Sequence, residues 1–131
     1  MTRLLPKLLL LMLSAMVTMP GNAETQLAGY WQHESDPVWI EMQPDIGQGV
    51  MVRNDNRPDR IGFLVVTDLE TSDDPDAWSA QVFAARLGEY RRAEITLSAD
   101  DRMVFTVKVG FMRRSVEWQR VSEVPPATDD E

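Results

Sequence analysis

The chain has no cysteine. That excludes a disulfide framework, a thiolate metal centre, a cysteine nucleophile and a lipid anchor on cysteine. It has one histidine, His33, so a multi-histidine metal site is excluded and a Ser-His-Asp set would have to use that residue. No Gly-x-Ser-x-Gly elbow, glycine-rich phosphate loop or Walker pattern occurs. Basic residues are outnumbered by acidic ones, 13 to 21, for a formal charge of −8. This balance argues against nucleic acid and against an anionic membrane face as partners. No apolar run reaches the ~20 residues of a membrane-spanning helix.

What is present begins with an export pattern. Arg3 and Lys7 form a positive start, and Leu8 to Val17 is apolar apart from Ser14. Pro20 then breaks the run, and Gly21 and Ala23 supply small residues at the cleavage positions. Residues 1–23 read as a secretory signal peptide, which places the protein in a periplasm or outside the cell. Its removal takes 23 of 131 residues and two positive charges, leaving 108 residues at −10. That length suits one domain with one core. Residues 24–122 form this domain, and 123–131 read as an acidic, disordered tail.

Between Leu27 and Val121 the pattern is one of short alternating strands. Leu27, Gly29, Trp31 and His33 share a face, as do Val38, Ile40 and Met42. Gly49 to Arg53 and the strongly apolar Ile61 to Leu69 follow, separated by a polar loop. Later strands alternate through Ala93, Ile95 and Leu97, then Met103, Phe105, Val107 and Val109, and last Arg114, Val116, Trp118 and Arg120. Ala77 to Leu87 is ambiguous. Asp74, Pro75 and Gly88 suit a helix, whereas Trp78, Ala80, Val82 and Ala84 alternate as a strand does. Short turns favour antiparallel neighbours, so the expected fold is all-β: an up-and-down meander of seven to eight strands closing into a small calycin-like barrel.

Two stretches carry a resemblance. Leu27-Ala28-Gly29-Tyr30-Trp31 looks like the Gly-x-Trp opening of calycin barrels. Trp78 to Phe83, Leu87-Gly88-Glu89-Tyr90, Ala93 to Leu97, Val104 to Gly110 and Val116 to Val121 follow, in order, a pattern similar to the bacterial DUF 2147 family of exported proteins. The resemblance implies a lipocalin-like barrel in which the Trp78 stretch is a strand in a hairpin with the Tyr90 stretch. It implies no catalytic residues. The chain departs from that pattern in lacking the Cys of a Cys-Gly pair near Ile46-Gly47-Gln48-Gly49, and in having Ala80 and Ala84-Ala85. Calycins close one barrel end with an Arg over a Trp, and Arg120 over Trp31 is the expected structural latch here.

Other candidates are few. Glu41 and Glu94 lie opposite the apolar faces of their strands and read as exposed. Asp55 to Asp59 and Asp73-Asp74-x-Asp76 read as solvated loops; neither matches an EF-hand. No metal or cofactor is expected, and a carboxylate hydrolase finds no support in the spacing. The large aromatics Trp39, Trp78, Tyr90, Phe105 and Trp118 fill a core or line a cavity, and Arg92 and Arg114 would receive a ligand carboxylate. The expected activity is therefore non-catalytic binding of a small apolar or amphipathic ligand. The alternative is a module that docks an envelope protein through an apolar surface around Trp39 and Phe111.

Overall fold

Eight strands follow one another round a single closed sheet: β1 (Gly29–His33), β2 (Val38–Gln43), β3 (Gln48–Asn54), β4 (Leu64–Thr71), β5 (Ala77–Ala84), β6 (Glu89–Ala99), β7 (Arg102–Val109) and β8 (Met112–Val121). The computed structural model describes residues 26–126. The predicted signal, 1–23, and the end of the predicted tail, 127–131, lie outside the described residues. Every strand pairs antiparallel with the next, and β8 returns to β1 with Arg120 opposite Trp31. The expected meander and its closure are present, and closure removes the sheet edges. Ala77–Ala84 is a strand, paired through Phe83 and Tyr90 with β6.

The two-residue period turns one face of each strand inward. Trp31 faces Ile40, Ile40 faces Met51, Met42 faces Gly49, and Gly49 faces Val66. Across the far side Trp78 faces Ile95, Ile95 faces Phe105, and Met103 faces Trp118. Apart from Gly49, these residues belong to one buried cluster with Leu27. Gly49 is required by close approach: a Cβ there would lie 2.7 Å from Met42 Sδ and 3.1 Å from Val66 Cγ2.

Two places break simple alternation. The β3–β4 register shifts between Gly49 and Val50, and the bulge leaves the consecutive Val65 and Val66 both buried. This is how the most apolar stretch of the sequence hides successive side chains. Trp39 sits beside Ile40 in sequence, on the outer side of β2, yet is only 6% exposed. Arg53 of β3 covers it, with the guanidinium carbon 4.7 Å from the ring centroid. Arg53 in turn pairs with Asp55 and donates from Nη1 to the Pro125 and Pro126 carbonyls at 2.6 and 3.0 Å. The described part of the predicted tail is therefore held against the barrel wall. Trp39 offers no exposed surface to a partner, unlike Phe111.

Candidate functional site

A meander places alternate connections at the same end of the barrel. Segments 34–37, 55–63, 85–88 and 110–111 form one end, here the mouth. Turns 44–47, 72–76 and 100–101 form the other. At that second end the Arg120 guanidinium carbon lies 4.3 Å from the Trp31 ring centroid. Arg120 Nη1 donates to the Ala28 carbonyl at 2.9 Å, Nε donates to Asp100 O at 3.0 Å, and Nη2 donates to Gln26 O. The Trp31 indole itself donates to Leu27 O at 3.0 Å. One side chain thus ties the entering segment, the β6–β7 turn and β8 over a buried ring.

The mouth is open. A cavity of about 950 Å³ enters the barrel there, within the size range of small-molecule pockets. The cause lies in side-chain size. The closed half is filled by Trp31, Trp78, Met42, Ile95 and Met103. The inward positions of the open half are mostly valines, namely Val38, Val65, Val82, Val107, Val109 and Val116. Phe105 and Trp118, 2% and 5% exposed, are the most buried of the lining residues, and their rings lie 5.4 Å apart. The Trp118 Nε1 is buried without an acceptor among the described residues, so the wall carries an unsatisfied donor.

The rim is polar and ordered by its own hydrogen bonds. His33 Nδ1 accepts from the backbone N–H of Ser35 and of Asp36 at 3.1 and 3.0 Å, so in the neutral ring Nε2 holds the proton. The ring edge meets Trp118 at 5.1 Å. Asn54, only 8% exposed, accepts from the N–H groups of Asn56 and Arg57 and fixes the start of the β3–β4 segment. Phe63, Phe83 and Tyr90 pack together, Tyr90 donates its hydroxyl to Leu64 O at 2.7 Å, and Arg60 lies over Phe83 at 5.4 Å.

Four arginines reach the cavity lining: Arg57, Arg60, Arg86 and Arg114. Arg57 is neutralised by Asp59 at 2.9 Å. Among the described residues, Arg60, Arg86 and Arg114 form no ion pair. Asp36 is the only carboxylate in the lining. No cluster of three metal-ligating side chains occurs among the described residues. The Arg57 hydrogen bonds hold Asp59 below the usual carboxylate range, and those of Arg53 do the same for Asp55. At the β1–β8 seam the hydrogen bond that a protonated Glu34 donates to the neighbouring Glu117, then desolvation, raises the Glu34 carboxyl above its ordinary value.

Of the residues singled out from sequence, Phe105, Arg114 and Trp118 line the cavity together. Trp78 is buried in the closed half, Tyr90 packs with Phe63 and Phe83, and Trp39 lies under Arg53. Arg92 is exposed in a separate outer groove of about 530 Å³ that also holds Ser79, Thr106, Lys108 and Arg113. Sequence reasoning missed Arg60 and Arg86. Both stand in connections, where strand alternation assigns no direction; only the rule that alternate loops share an end would have found them. No protein-family model, curated protein or solved structure matches the chain.

Proposed function

We propose that this is an exported, non-catalytic, calycin-like carrier of a small amphipathic acid. The apolar body enters among the valines, Phe105 and Trp118, and the anionic head meets the rim arginines. The single observation that supports this best is an apolar cavity of about 950 Å³ whose mouth holds three arginines without a carboxylate partner among the described residues. A guanidinium fork matches a carboxylate in two parallel hydrogen bonds. The unsatisfied Trp118 indole would take an acceptor atom on the ligand. The signal-like N-terminus and the resemblance to the DUF 2147 family agree with this reading.

Titration with cis-parinaric acid tests it, with displacement by saturated fatty acids of graded length. Saturable binding is expected, lost when Val107→Phe fills the cavity and weakened roughly tenfold by Arg114→Gln, the scale of one charged hydrogen-bonded contact. Absence of saturable binding, or equal binding by the Val107→Phe protein, would overturn the reading.

A further inference from the structure

Charge is unevenly placed, with the latched end acidic and most cations of the mouth gathered on its β5–β8 side, away from Glu34, Asp36, Asp55 and Asp59 on the β1–β4 side. The turns 44–47, 72–76 and 100–101 at the latched end hold Asp45, Asp73, Asp74, Asp76, Asp100 and Asp101 and no cation. The two hairpin tips 85–92 and 108–114 at the mouth hold Arg86, Arg91, Arg92, Lys108, Arg113 and Arg114 against one acid, Glu89. Glu89 is spent on Arg91 at 3.1 Å. The tips are neighbours because β6 pairs with β7. The formal charge of −8 argues against an anionic membrane face for the chain as a whole, but this edge beside the cavity is locally cationic and reverses that expectation there.

The same two tips expose apolar side chains. Phe111 is completely exposed, Met112 is 61%, Leu87 is 43% and Tyr90 is 39%. Phe111 stands at the β7–β8 turn beside Gly110, whose φ of 63° suits the tight reversal between Val109 and Met112. Separate apolar tips flanked by cations suit a bilayer interface better than a protein pocket. Arginine and lysine stems reach lipid phosphates while the rings enter the acyl boundary. We propose that the β5–β6 and β7–β8 hairpins dock this protein, mouth towards the lipid, on a bilayer rich in anionic phospholipid. The docking is peripheral and does not depend on what the cavity takes up.

The acidic end does not forbid this. An eight-residue strand is roughly 26 Å long. The Debye length at physiological salt is about 8 Å, so the distant aspartates are largely screened at the membrane.

The test is flotation with phosphatidylglycerol and phosphatidylcholine vesicles. It uses the full chain as recovered from expressing cells, so that every variant shares the same N-terminus. Binding is expected to be at least tenfold stronger to phosphatidylglycerol and to fall in high salt. Phe111→Ser should weaken it roughly tenfold, the scale of losing one buried aromatic. Arg86→Glu with Arg113→Glu should weaken it by at least twentyfold, at roughly fivefold per cation removed. Asp100→Asn at the far end should leave it unchanged. Equal binding to both lipids, or wild-type binding by the Phe111→Ser and Arg86→Glu/Arg113→Glu proteins, would overturn the proposal. Capture of a protein partner that depends on Phe111, without vesicle binding, would overturn it in favour of a protein surface. Vesicle binding by a protein that takes up no parinaric acid would sink the carrier reading alone.

Discussion

Replacing Arg120 by alanine removes four attachments in one step. The guanidinium sits 4.3 Å from the Trp31 centroid and donates to three main-chain carbonyls, those of Gln26, Ala28 and Asp100. A cation over an indole at a partly exposed site is worth about 1 kcal/mol. Water can replace part of each hydrogen bond at the barrel end, so each adds nearer 0.5–1 kcal/mol than the full charged value. The total loss is about 3 kcal/mol, or roughly 15 °C in Tm for a domain of this size. Arg120→Lys keeps the charge and loses the planar fork, and should restore only about 1 kcal/mol. Urea unfolding followed by circular dichroism measures each variant. A double-mutant cycle with Trp31→Phe separates the ring from the carbonyls, with a coupling of a few tenths to 1 kcal/mol expected. A loss below about 0.5 kcal/mol for Arg120→Ala would refute the latch, since that is the scale of an ordinary surface substitution.

Two further outcomes follow from the packing and the charges. Gly49→Ala should destabilise by about 1–3 kcal/mol, because the added Cβ meets Met42 Sδ at 2.7 Å and Val66 Cγ2 at 3.1 Å in the closed core; a Tm within 2 °C of wild type would show that the core yields more easily than this. Stability should also respond to acid with two opposite signs. Asp55 and Asp59 are depressed below 3.8, so their contribution is full above that value and is lost as the pH falls through their folded values. Glu34 is raised above 4.5, so the fold favours its protonated form, and stability declines as the pH climbs from 4.5 through the raised value. Glu34→Gln should abolish that decline in pH-dependent thermal melts, and an unchanged profile in this variant would remove Glu34 as its cause.

The strands were legible in the sequence because the side-chain period of two is local. Val38, Ile40 and Met42 announce an inward face without any knowledge of what they touch. Ala77–Ala84 was legible only by resemblance, since Asp74, Pro75 and Gly88 satisfy the local signals of a helix as well. Strand pairing overrode them: each residue of this segment has a partner on β6. The site was half legible. Alternation tells which face a residue occupies and not how far along the barrel it stands. Trp78 and Trp118 both point inward, yet one packs in the closed half and the other lines the cavity.

The sequence by itself determined the alternation, the short turns and the shortage of catalytic groups; the meeting of a Trp-bearing first strand with an Arg-bearing last one was expected from resemblance. The tertiary structure alone decided the rest. Arg120 meets the carbonyl of Ala28 across 92 residues of chain. The bulge at Gly49 and Val50 buries two successive valines, and Arg53, held by the Pro125 and Pro126 carbonyls, covers a tryptophan that alternation turns outward. The inward positions are mostly valines towards the mouth and larger side chains at the latched end. The physical reason is that register and height in a closed sheet are set by partners distant in sequence, whereas the period of two is set by the backbone of each strand.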